Sequence, residues 1–153
     1  MQSVEIKGLD ELDKRINNLL VEMPEARRKL HEELAIMAKQ EVDAQIISAG
    51  IQDNRGKIRG WQEDVVGSGG GYAAVRAAKG STGSNSPGAI TNYLEGGHRI
   101  RQPSGTARRY KPKIKVPYVD GRHFYQNARR NVTAKAIDIA EKFADDLARK
   151  IEG

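Results

Sequence analysis

Phe124, Ala128, Val132, Ala136, Ala140, Phe143, Leu147 and Ile151 follow one another at intervals of three or four residues. That is the spacing of an α-helix with one apolar face, and no other stretch of the chain repeats it so regularly. One long helix is expected from about Gly121 to Glu152, with Asp120 placed to cap it and Asn131 as the point where it could bend. The stripe has to be covered by a sheet or a second helix. Any fold open to this chain must therefore supply a long partner surface, and Phe124, Phe143 and Leu147 are its expected core residues.

A partner of that length lies near the other end of the chain. Leu9, Leu12, Ile16, Leu19 and Leu20 recur at helical spacing, with Asp10 at the N-cap position. Pro24 should break this run or begin the next, because proline is tolerated in a first helical turn but not in an interior. From Glu25 to Ala49 the stripe is Leu30, Leu34, Met37, Ala38, Val42 and Ile46, and Gly50 is the expected stop. Ahead of both, Val4-Glu5-Ile6-Lys7 alternates like a short edge strand.

The middle of the chain reads differently. Asp53-Asn54-Arg55-Gly56 is a turn signature, and a strand is expected through Trp61 to Val66. Gly67-Ser68-Gly69-Gly70-Gly71 lacks the Gly-Lys-Ser/Thr of a phosphate-binding loop, so it reads as a hairpin connection into a second strand at Tyr72–Ala78. Ser81 to Gly88 has the composition of a loop. Ile90 to Glu95 is a strand or a single helical turn stopped by Gly96-Gly97. Ile114-Lys115-Val116 alternates like a strand ended by Pro117. Together the pieces predict one α+β domain over 1–153: a long N-terminal helical region, a small antiparallel sheet and a long C-terminal helix, with an extended basic loop at about 96–119.

Charge singles out that loop. Residues 65–119 hold nine lysines and arginines against one acid, Glu95, whereas the remainder is slightly acidic. Arg99, Arg101, Arg108, Arg109, Lys111, Lys113 and Lys115 fall in one segment with no carboxylate from Gly96 to Val119. Pro103, Gly105 and Pro112 oppose regular structure there. Cations so concentrated attract phosphate or acidic protein surfaces. Only Tyr110 and Tyr118 could stack on bases, so contact with DNA would be through backbone charge without sequence preference.

Chemistry is hard to find. There is no cysteine, hence no disulfide and no thiolate metal site. His31, His98 and His123 lie on different elements without metal-ligand spacing, and no two acids stand out as a general acid–base pair. A phosphodiesterase using His98 and His123 with neighbouring arginines is the enzymatic alternative. The expectation is no enzyme, no catalytic residue, no metal and no cofactor. No apolar run approaches a membrane span, and the N-terminus has no signal-peptide pattern, so a cytoplasmic soluble protein without membrane contact is expected.

Three short motifs in a fixed order add a resemblance. They are Asn54-Arg55-Gly56-Lys57-Ile58-Arg59 with Asp53 ahead of it, Tyr93-Leu94-Glu95-Gly96-Gly97, and His123-Phe124-Tyr125-Gln126-Asn127-Ala128. With the opening Val4-Glu5-Ile6-Lys7-Gly8-Leu9-Asp10-Glu11-Leu12, this order resembles the neck or tail-completion family of long-tailed phages and prophages. Gly97 stands where that family usually has threonine, and His123 where it usually has proline. The resemblance implies a non-enzymatic virion structural protein in the six-fold ring that joins head to tail. It assembles in the host cytoplasm. Its implied partners are further copies of itself, adjacent neck or connector proteins, tail-tube or tail-terminator proteins, and genomic DNA in the channel without sequence preference. On that view Glu95, Arg99, Arg101, Arg108, Arg109, Lys111, Lys113 and Lys115 would meet a subunit, a partner or the DNA. Glu95 would pair with an arginine across a subunit contact or with Arg99 in its own chain. The alternative function is a sequence-independent nucleic-acid-binding module using the same loop.

Overall fold

The computed structural model describes residues 8–100 and 118–152. The elements are α1 (Leu9–Ser48), α2 (Lys57–Gly60), β1 (Gln62–Val66), β2 (Ala73–Ala77), α3 (Pro87–Gly96), β3 (Gly97–Arg99), β4 (Tyr118–Asp120) and α4 (Phe124–Glu152). This is the expected mixture of long helices and small antiparallel sheet. Among the described residues there are two sheets rather than one, each of two strands. The proposed strand at Val4–Lys7 and that at Ile114–Val116 lie outside the described residues.

α1 and α4 run antiparallel, and contacts along their length fix the pairing. Arg15 Nη1 donates to the carbonyls of Ile151 and Glu152 at one end, at 3.3 and 2.7 Å. Lys150 Nζ is 2.5 Å from Glu22 Oε2. Towards the other end, the buried Glu41 carboxylate takes hydrogen bonds from Asn131 Nδ2 (2.6 Å) and Lys135 Nζ (2.7 Å) of α4 and from Gln45 Nε2 (3.0 Å) of its own helix. The arginine at α4's C-terminus also meets the negative end of the helix dipole.

Pro24 neither breaks nor begins a helix. It sits inside the 40-residue α1. A proline removes one backbone bond, and an interior one costs about 3 kcal/mol. Packing against α4 on both sides of it offsets that loss: Ala26 and Leu30 share a groove with Ile139, Phe143 and Leu147. Asp10 lies in the first turn of α1 and not at its cap, which is Gly8 at φ 97°. Gly50 takes a left-handed φ of 69° just past the last turn and donates to the Ile47 carbonyl, as the expected stop signal requires.

β1 and β2 pair in register from Gln62↔Ala77 to Val66↔Ala73, and the glycine run is their connection. The Tyr72 ring folds over Gly67, and a Cβ there would push that exposed ring aside. The loop expected at Ser81–Gly88 ends early: Ser86 Oγ accepts from Ala89 N at 3.2 Å, and Pro87 opens α3. α3 is thus a ten-residue helix rather than a single turn.

The core sits at one end of the helix pair. Val42, Ile46, Phe124 and Ala128 are buried together, and Ile58 of α2, Val75 of β2 and Leu94 of α3 pack on them. Away from this end, among the described residues, α4 packs chiefly on α1. Phe143 and Leu147 are accordingly half-buried. Ala140 is exposed and Ile139 takes its place in the stripe, since a run of fours drifts round a 3.6-residue helix and must be reset by a three.

Two outcomes follow. Phe124→Ala should cost about 3–5 kcal/mol in urea unfolding, and Phe143→Ala clearly less, because only the first side chain is fully buried. Glu41, hydrogen-bonded to Lys135, Asn131 and Gln45 against the opposing effect of burial, is held at a pKa of about 2. Its folded pKa is depressed, so its contribution is complete above the ordinary carboxylate range and is lost as pH falls from about 4.5 towards 2. Melting temperatures measured across that window should fall less steeply for Glu41→Gln than for the unmodified chain.

Candidate functional site

The basic segment is rooted in a joint where four elements meet. β3 and β4 pair through Gly97↔Asp120, His98↔Val119 and Arg99↔Tyr118. This ladder holds the two ends of the segment side by side.

Beside the ladder, α4 starts without a cap of its own. Asp120 belongs to β4 and does not cap it. The cap comes from α3: Glu95 Oε2 accepts from Tyr125 N at 2.9 Å, and Glu95 Oε1 from Gln126 N at 3.1 Å. A carboxylate here satisfies two orphan N–H groups and meets the positive end of the helix dipole. Among the described residues Glu95 makes no ion pair with Arg99 or another cation. The backbones lock around it, with Arg122 N donating to the Leu94 carbonyl at 2.7 Å and His123 N to that of Glu95 at 3.2 Å.

So close an approach demands missing side chains. A Cβ on Gly97 would collide with the Val119 carbonyl, and one on Gly121 with the Glu95 carbonyl. Gly97 has φ 79° and His123 φ 52°. A proline, locked near −65°, could not take the backbone of His123. A threonine at Gly97 would be both strained and crowded.

A polar chain continues from the joint towards the core. The Tyr125 hydroxyl donates to Gln62 Oε1, while Gln62 Nε2 donates to the Ile58 carbonyl (3.0 Å) and Thr91 Oγ1 (3.3 Å). Burial, together with the Glu95 charge, pushes the Tyr125 hydroxyl up to about 12, so it stays a donor. The first motif closes on itself nearby. Gly56 turns at φ 64°, and the Asp53 carboxylate accepts from Ile58 N (2.9 Å), Arg59 N (3.0 Å) and Arg59 Nε (3.2 Å). Burial opposes its ionisation, but these bonds outweigh it and its pKa is lowered.

The expected site residues thus divide into three groups. Glu95 is a cap, and Arg99 is exposed at the end of β3. Arg101, Arg108, Arg109, Lys111, Lys113 and Lys115 lie outside the described residues. His98 packs against Tyr93 with ring centroids 5.1 Å apart and planes tilted by 43°, its buried Nδ1 has no partner among the described residues, and both rings line an open recess with Ser84, Arg99 and Ile100. His123 is exposed, immediately ahead of α4. Among the described residues no group of three His, Asp or Glu side chains is arranged to hold a metal ion, and no helix is long and apolar enough to cross a membrane. Comparisons with protein-family models, curated proteins and solved structures returned no match.

Glu95→Ala should lower stability by about 1–2 kcal/mol, the range for a lost N-cap. Hydrogen exchange should speed up first at the amides of Tyr125 and Gln126. Unchanged exchange there would mean that the carboxylate does not hold the helix start.

Proposed function

We propose that this chain is a non-enzymatic virion structural protein, a subunit of the ring that joins a phage head to its tail. The observation that carries the reading is the joint. The three motifs behind the resemblance each place a side chain on one core, through Ile58, Leu94 and Phe124. Two of them also build the Glu95 cap, from which the β3–β4 ladder presents both ends of the basic segment. A rigid base carrying many cations suits docking onto carboxylates of an adjoining ring or onto DNA phosphate in the channel.

In this role the helices and sheets form the body of the subunit, and the basic segment makes the contact. Removing the protein should leave DNA-filled heads and separate tails, because a joining ring contributes to neither assembly alone. Electron microscopy of a deletion lysate reads this directly. Normal infectious particles would reject the assignment, and empty heads would move the function upstream to packaging. Reversing Arg108 and Arg109 to Glu separates the two contacts. Joining is blocked if the partner is protein, whereas DNA retention or ejection changes with joining intact if the partner is the genome. DNA binding by the isolated monomer, falling steeply with salt, would favour the nucleic-acid module instead.

A further inference from the structure

We infer that the recess between the first motif and Trp61 is a nucleotide site, taking a flat ring against Ile58, Trp61 and Ile90 and the attached phosphate on Arg55 and Lys57. The inference goes beyond the ring-subunit reading and does not depend on it. Its starting point is an imbalance within Asn54-Arg55-Gly56-Lys57-Ile58-Arg59. Gly56 makes the turn, Arg59 pairs with Asp53 and Ile58 reaches the core, so these residues build the body. Arg55 and Lys57 are exposed, and among the described residues neither has a carboxylate partner.

The backbone that carries them is fixed at both ends. The Asp53 carboxylate accepts from Ile58 N and Arg59 N, and Gly56 N donates to the Asp53 carbonyl at 2.9 Å. Trp61 N donates to the carbonyls of Lys57 (3.1 Å) and Ile58 (3.2 Å), while the Trp61 carbonyl accepts from Ala78 N at 2.7 Å. The indole is therefore rooted where α2 meets the hairpin, and α3 contributes Ile90 to the same recess. Walls positioned before a ligand arrives lose little freedom when it binds.

The recess measures about 350 Å³ and is open to solvent. That lies at the lower end of small-molecule sites, roughly 300–1,000 Å³, with room for one ring system and its phosphate. A half-buried indole beside two isoleucines is a surface on which a base stacks. Arg55 offers a planar fork that grips phosphate through two parallel N–H···O bonds. Lys57 Nζ, 5.2 Å from the Trp61 ring centroid, sits on a flexible exposed stem that can turn from the indole to a phosphate beside it.

Asp53 is the one carboxylate on the wall. Both its oxygens already accept hydrogen bonds, Arg59 neutralises it and its side chain is only 5 % exposed, so it opposes a phosphate little. Gln52 and Asn54 complete the lining and are neutral. A carboxylate side chain of a peptide would satisfy the two cations and leave the indole and isoleucines bare. A phosphate joined to a ring meets both walls.

Trp61 is the chain's only tryptophan, so its fluorescence reads the recess alone. The full chain is titrated at low salt with adenosine 5′-monophosphate, with adenosine and with inorganic phosphate. The monophosphate should quench saturably, and each half should bind at least about tenfold more weakly, because neither meets both walls. Arg55→Gln should weaken the monophosphate about tenfold with the circular dichroism spectrum unchanged, whereas Arg130→Gln, at an exposed position on α4, should not. Equal weakening by the two substitutions would mean a general attraction of anions to a basic chain and would overturn the site. Quenching that never saturates, or a glutamate-rich peptide that binds as tightly, would also overturn it. A single-stranded oligonucleotide separates two sources of the same chemistry. Competition with the monophosphate, lost in Arg55→Gln, assigns the recess to a nucleotide within a strand, and no competition assigns it to the free nucleotide. The deletion lysate tests the virion role separately, so either result stands without the other.

Discussion

The start of α4 depends on a carboxylate that belongs to another helix. Every α-helix begins with N–H groups that find no partner within it. Most borrow one from the residue just ahead; here that neighbour is His123, in a left-handed conformation and followed directly by buried Phe124. Glu95 fills the role from α3, and in doing so ties together α3, the β3–β4 ladder and the helix that supplies most of the chain's apolar periodicity. Phe124 reaches the core because this tie fixes where its helix begins. Gly97 and Gly121 are the corollary, since the backbones can approach only where no Cβ intervenes.

Seen from this joint, the resembled motifs acquire physical content. Asp53, Gly56 and Arg59 form a self-contained turn that delivers Ile58 to the core. Tyr93 to Gly97 delivers Leu94, caps α4 and turns the chain into β3. The third motif receives that cap. In these roles the motifs describe how the body is built.

Much of the architecture was legible in the chain, because helical periodicity and glycine punctuation are local signals. The α4 stripe, the Gly50 stop and the β1–β2 hairpin all rest on residues close together in sequence. Long-range effects stayed hidden. Pro24 looked like a boundary because its cost is local, while the α4 packing that outweighs it comes from residues more than a hundred positions away. Asp120 looked like the cap because it stands just before the helix, whereas the true donor of the carboxylate, Glu95, is thirty residues from the amide it serves. In Glu95 an acid among cations suggested an ion pair, and backbone amides proved to be its partners. Of the candidate site, the sequence could expose the concentration of charge but not the ladder that anchors it, since three-residue strands carry too little pattern to announce themselves.

The lopsided placement of the core has a thermodynamic consequence. At the Phe124 end, five elements contribute side chains to one core; at the other, two helices share half-buried ones and a few exposed ion pairs, each contributing at most about 1 kcal/mol. Local opening free energies should therefore taper along the helix pair, in the manner of separate cooperative units within one domain. The firm end resembles a clamp and the far end a lever whose outer turns are ordered at little net gain. Ordering those outer turns costs conformational entropy that the half-buried contacts there only narrowly offset, so they should be the first part of the pair to open.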